Sequence, residues 1–314
     1  MSIEKLQEKI RKMKNPSVVE FNVELERLPK HLLEEEHNER LAYGRFCREL
    51  LEELKDIVPA VRFNMGAFSL MGADGMFLLY KLTEYAKERN YYVILDAPES
   101  ISSRAAEQTV KTLFAENCPW LFDGLVVSAY AGSDVIKPYV RALKDSNKAL
   151  FVTLRTANKS AAELQDLLTG TRLVHMAAAD IVKRLGEPLI GRSGYSQVAG
   201  IGPANVPDVL KKLRDRYKNL FLLLDGYDYS NSNAKHCSYA FDKLGHGAVV
   251  CSGMGITHAW DGEESNGEDY VKQALDGSLN TAHRVMAAFE TAHLFCILIT
   301  HFVYLLISYF SIKH

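Results

Sequence analysis

The sequence predicts a single (β/α)8 barrel with an N-terminal helix and an apolar C-terminal helical tail. Eight short, near-continuous apolar runs rich in Val, Ile, Leu and Phe recur along the chain, as expected of parallel strands buried on both faces. Longer amphipathic stretches separate them in strict succession, and that alternation builds a barrel with an outer ring of helices. No Pro/Gly/Ser linker divides the 314 residues, so 1–293 read as one barrel domain and 294–314 as a tail. A doubly wound open sheet is the runner-up.

The opening MSIEKLQEKIRKMKNPS is charged, amphipathic and without a secretory apolar core, which predicts a short surface helix. The predicted strands are Ser17–Phe21, Ala60–Asn64, Tyr91–Asp96, Phe122–Ser128, Ala149–Leu154, Tyr195–Ala199, Leu220–Leu224 and Ala248–Cys251. Between them, Gly44–Asp56 carries Phe46, Leu50, Leu51 and Leu54 at helical spacing, and Asp74–Glu88 carries Met76, Leu79, Leu82 and Tyr85. The remaining helical patterns are Ser102–Ala115, Asp134–Lys144, Ala161–Leu185, Val206–Tyr217, Ala234–Leu244 and Asp269–His293.

From Thr291 to Ile312 there are 22 residues without Asp, Glu, Lys or Arg. That length can span a bilayer as a helix, although Thr300, His301 and Ser308 weaken the reading. A helix packed on the barrel or a dimer, or a tail from an altered reading frame, is favoured over a membrane anchor. Thirty-seven basic against 39 acidic residues leave no global charge to attract nucleic acid or anionic lipid. The five cysteines are scattered without a CxxC pair or a Cys/His cluster, which predicts neither structural zinc nor a disulfide framework and points to the cytoplasm.

Barrel chemistry belongs at the C-terminal ends of the strands. That rule directs attention to Asn22, Arg62, Asn64, Asp96–Ser103, Ser128–Gly132, Arg155–Asn158, Gly200–Pro203, Asp225–Asn231 and Ser252–Gly255. Six blocks there occur in a specific order: IVPAVRFNMGAFSLMGADG, YYVILDAPESISSRAA, VVSAYAGSDVIKPYV, VTLRTANKSAAELQDLL, LLLDGYDYSNSN and AVVCSGMGITHAW. In this order they resemble the longer bacterial form of the orotidine 5′-phosphate decarboxylase family, over about residues 15 to 293.

The resemblance implies a barrel that removes CO2 from orotidine 5′-phosphate to give UMP, in pyrimidine biosynthesis, with no metal and no organic cofactor. It implies a homodimer, with one aspartate of each pocket supplied by the partner. In that family a lysine ammonium stabilises the developing carbanion and donates the proton, inside a motif Asp-x-Lys-x-x-Asp-Ile-x-x-Thr. Here Asp96 matches the first aspartate, and it is the only matching catalytic position. Pro98 stands for the lysine, Ser100 or Ile101 for the second aspartate, and Arg104 or Ala105 for the threonine.

The implied binding positions depart as well. Asn22 stands for the ribose-binding aspartate and Arg62 for the lysine of strand two, followed by Asn64. Tyr229 replaces the phosphate-loop glutamine and Met254 the phosphate arginine. Arg155, Thr156, Gly226 and Gly255 keep their places, and Gly253 joins them as a candidate substrate-binding position. Asp225 and Asp228 bring two carboxylates to the phosphate loop, where they would repel a phosphate. Asp96 is read as a helix cap or an ion-pair partner of Arg62, and the Ser252–Gly255 turn as a barrel closure rather than a phosphate nest. His236, His246 and His258 lack metal-ligand spacing and read as surface or loop histidines.

The expectation is therefore a decarboxylase-like barrel without decarboxylase activity. It would be retained as a scaffold that binds a nucleotide, another small anionic ligand or a partner, as a homodimer or a dimer with a homologue. An active decarboxylase with relocated groups is the alternative, and a barrel enzyme of changed chemistry built on Asp96 and Arg62 is a third.

Overall fold

A computed structural model describes the backbone except at 23–24, 98–99, 262–264 and 312–314, and side chains as far as residue 291. Eight parallel strands close into a barrel: β1 (Ser17–Phe21), β2 (Ala60–Asn64), β3 (Tyr92–Asp96), β4 (Gly124–Ser128), β5 (Ala149–Thr153), β6 (Val198–Pro203), β7 (Leu222–Asp225) and β8 (Ala248–Ser252). Each pairs with its neighbours in sequence, and β1 closes the ring against β8.

Side chains alternate between the two faces of each strand. Val19, Phe21, Val61, Phe63, Val93 and Leu95 point outward into the core shared with the helices. Val18, Tyr92, Ile94, Phe151, Phe221 and Leu223 fill the barrel interior. The floor of that interior is capped by helix α1 (Ser2–Met13), which buries Ile3, Leu6 and Ile10 in the same cluster. Polar pins fix α1 across the bottom: Gln7 Oε1 accepts from Gly247 N at 2.9 Å, and Gln197 Oε1 accepts from Ile3 N at 3.1 Å. The N-terminal helix is thus a barrel plug rather than a surface appendage.

The structure departs from the sequence pattern at three elements. Strand six was expected at Tyr195–Ala199 but runs from Val198 to Pro203. Gly200 and Gly202 read as loop residues, yet both lie in the strand; at Gly200 a Cβ would come within 2.5 Å of Leu154 Cδ1, so the close packing there requires glycine. The expected helix Ala161–Leu185 forms only from Val174 to Gly186. Before it come a single turn, Lys159–Glu163, and a hairpin pairing Leu168–Thr169 with Arg172–Leu173 around Gly170, whose φ is +65°. Ion pairing of Arg155 with Asp166 draws that segment over the end of β5. The expected helix Ala234–Leu244 stops at Ser238, where the Asp242 carboxylate ties a turn by accepting from Leu244 N and His246 N.

The last helix runs from Tyr270 to Ser311. Tyr270, Ala274, Ser278, Thr281 and Val285 form its buried stripe, and Phe289 packs against Phe241. The side chains of the 294–314 segment lie outside the described residues. Among the described residues no helix is long and apolar enough to cross a membrane. Truncation after residue 293 keeps the whole described stripe as far as Phe289, and it is expected to leave cooperative urea unfolding at an unchanged midpoint. Loss of cooperative unfolding would place the segment within the packed fold.

Candidate functional site

The barrel mouth inherits its side chains from strand parity. One step above the apolar interior layers, the inward positions become Glu20 (two after Val18), Arg62 (after Ala60), Asp96 (after Ile94), Asp225 (after Leu223) and Cys251 (after Val249). Glu20 lies in register with Arg62, and Asn64 with Asp96. A hydrophobic core therefore ends in a layer of charge.

Arg62 organises that layer. Its side chain is only 7 % exposed. Nη2 donates to Asp96 Oδ2, while Nη1 lies 3.4 Å from both Glu20 Oε1 and Asp225 Oδ2 and 3.9 Å from Cys251 Sγ. Burial works against the guanidinium charge, but the combined pull of Glu20, Asp96 and Asp225 overrides it and holds Arg62 protonated well above the ordinary arginine range. Burial pushes the Glu20 carboxyl up to about 7; Arg62 opposes this, and Asp225, Asp96 and Asp228 add to it. Burial also pushes the Cys251 thiol far up, so it is a neutral thiol. The ligand atoms of Glu20, Asp225 and Cys251 lie within 4.8 Å of one another, close enough to hold a cation. Arg62 Nη1 is the cation that they share.

Asp228 completes the acidic rim. It accepts from Ser252 Oγ and from Gly253 N, both at 2.7 Å. The backbone N–H of Gly253 is therefore bound within the chain rather than open to a phosphate. Gly255 packs directly on the same carboxylate: a Cβ there would fall 2.5 Å from Asp228 Oδ1. Gly226, at φ +75°, makes its turn against Ala157. Met254 lies with Sδ 3.9 Å from Arg27 Nη1, and Tyr229 is half exposed.

The other sequence-predicted positions do not join the Arg62 cluster. Asn64 caps the helix Met65–Ser69 by accepting from Gly66 N at 2.8 Å. Asn22 is exposed beyond β1. Arg155 binds both oxygens of Asp166, at 3.1 and 2.8 Å, and donates to the Thr156 carbonyl. Thr156 Oγ1 meets Asn158 and Gln165. Pro98 lies outside the described residues. Ser100 Oγ is hydrogen bonded to Tyr139 Oη at 2.8 Å within its own chain, and Ile101 is exposed. His258 is not a surface histidine: it is buried beside Trp260, and burial pushes it down to about 4.

Beside the mouth, above β5, β6 and β7, opens a cleft of about 460 Å3 lined by Arg155, Asn158, Lys159, Asn205, Tyr229 and Asn231. Asn205 donates to the Ala157 carbonyl and to Asn231 Oδ1, and its own buried Oδ1 accepts nothing.

Glu20 is the site residue that sequence reading passed over. The sequence offered only a carboxylate at the inward parity of a buried parallel strand; that it is level with Arg62 comes from the β1–β2 register.

No family model matches the chain. A protein named orotidine 5′-phosphate decarboxylase from Rhodopirellula baltica is 29 % identical over 266 residues, covering 80 % of this chain and 88 % of its own. One of the same name from Clostridium acetobutylicum is 30 % identical over 229 residues, covering 72 % and 78 %. The crystal structure of orotidine 5′-monophosphate decarboxylase from Plasmodium berghei superposes with a TM-score of 0.75 at 13 % identity, covering 93 % of this chain and 99 % of that one. That last likeness is one of fold.

Proposed function

The chain belongs to the orotidine 5′-phosphate decarboxylase family, and within it we propose a barrel that no longer decarboxylates and instead serves as a dimeric scaffold for another ligand or a partner. One observation carries this reading. The cation beside Asp96 is the guanidinium of Arg62, and among the described residues no lysine ammonium lies within ion-pair distance of Asp96. A guanidinium can offset negative charge, but with a pKa above 12 it does not release a proton to a ring carbon at neutral pH. Asp96, Arg62 and Asp225 thus form an internally satisfied ion cluster without a lysine ammonium; the protonatable neighbour is the Glu20 carboxyl, pushed up to about 7 by burial.

Electrostatics at the rim point the same way. Three acidic side chains, Glu20, Asp96 and Asp225, surround one guanidinium, and Asp228 adds a fourth beside Glu20. A substrate carrying both a phosphate and a carboxylate meets repulsion at both ends. Ser100, at the second aspartate position, is engaged by Tyr139 and offers no charge to a partner subunit.

The test is turnover. Purified full-length chain is expected to convert orotidine 5′-phosphate to UMP no faster than buffer, and to leave a uracil-requiring strain unable to grow although folded protein accumulates. Enzyme-like turnover, or growth, overturns the reading in favour of a working decarboxylase with relocated groups. The sequence likeness to proteins named as decarboxylases across some 80 % of the chain keeps that second reading in play.

A further inference from the structure

The barrel floor, opposite the acidic mouth, gathers amines around a single carboxylate. Lys5 and Lys9 come from α1, Lys87 from the helix Gly72–Glu88, and Lys148 from the approach to β5. Asp123, immediately before β4, is the carboxylate among them, and it pairs with Lys5 and Lys87. Its oxygens take Lys87 Nζ at 2.7 and 2.8 Å, Lys5 Nζ at 3.4 Å and the backbone N–H of Val93 at 2.9 Å. Asp123 is fully occupied by these.

The other two amines find only neutral acceptors. Lys9 donates to the Asn90 carbonyl. Lys148 donates to the Phe122 carbonyl at 2.8 Å, with Nζ 3.7 Å from the centroid of the Phe122 ring. Burial, then the charges of Lys5 and Lys87, pull Lys9 down to about 8; Asp123 opposes them and Lys12 adds to the repulsion. Burial likewise lowers Lys87 and Lys148, each only partly relieved by Asp123. The groups facing one another here are thus Lys5, Lys9, Lys12, Lys87, Lys148, Asp123 and the Cys118 thiol.

An ammonium offers three donors, and a half-buried one is costly unless they are used and its charge is balanced. Here two of four amines pair with the one carboxylate and the other two have no anionic partner. Lys5 stays half exposed, its side chain 46 % accessible, so the cluster is reachable from solvent. We propose that the barrel floor is an anion site, independent of the mouth, that takes a phosphoryl-type anion between Lys5, Lys87 and Lys148. Several oxygens on one compact anion fit several amines better than any single carboxylate does.

Calorimetric titration of the full-length chain with pyrophosphate, at pH 7 and fixed ionic strength, tests this. One-to-one saturable binding is expected, with inorganic phosphate weaker and sulfate at equal ionic strength weaker still. Lys5→Gln and Lys148→Gln, both partly exposed, are each expected to weaken binding about tenfold, as for one lost charge-assisted hydrogen bond. Lys235→Gln, far from the floor, should leave it unchanged. The proposal is overturned by the absence of saturable binding, or by binding that neither floor variant weakens.

Discussion

Arg62→Met costs the fold about 3–5 kcal/mol at neutral pH, the usual penalty for removing one partner of a buried ion cluster. The methionine fills much of the same space, so the loss is electrostatic: Glu20, Asp96 and Asp225 are left facing one another without a cation. Urea unfolding at pH 7.5 measures it. The pH profile gives an independent check. Burial raises the folded-state value of Glu20 to about 7, against about 4.3 for a free glutamate. The folded state therefore binds the proton more tightly. The resulting contribution is complete below the unfolded value and is lost as pH climbs through 7. Stability should accordingly decline from pH 5 to pH 7.5, more steeply in Arg62→Met, where the cation opposing that rise is gone. Glu20→Gln should flatten the profile. An Arg62→Met variant as stable as the parent at pH 7.5 would show that the guanidinium does not hold the mouth together.

The second large effect lies at the other end of the barrel. Leu6 is completely buried in the interior cluster with Ile3 and Ile10. Leu6→Ala is expected to cost about 2–5 kcal/mol, because rigid strands cannot collapse into the space it leaves. Removing the whole of α1 should abolish cooperative unfolding, since it uncovers the floor and orphans Gly247 N and the Gln197 side chain. Urea titration followed by circular dichroism distinguishes these outcomes. A chain lacking residues 1–13 that still unfolds cooperatively near the parent midpoint would make α1 a surface appendage after all.

Where the sequence was legible, the reason is burial on both strand faces. Ser17–Phe21 and Ala60–Asn64 were bounded to the residue, because an apolar run flanked by polar turns has one reading in a parallel barrel. Strand six was displaced because glycine signals a turn locally, while Gly200 serves a close packing contact that only the fold creates. The segment after β5 read as one long helix because its short-range propensities are helical; the side-chain ties Arg155–Asp166 and Gln165–Thr156, which fold it back on the end of β5, break it. At the site, Arg62 and Asp96 were legible as strand-end charges. Glu20 was not, since its meaning depends on the β1–β2 register. Asn64 looked like a ligand group and is a helix cap.

The plug has a consequence for biogenesis. Gln7 leaves the ribosome early, yet the backbone amide it receives belongs to Gly247. Until some 240 further residues have been made, the greasy side of that first helix has nowhere final to go. Nascent chains stalled short of β8 should therefore remain open to proteases and chaperones, and gain protection in one late step.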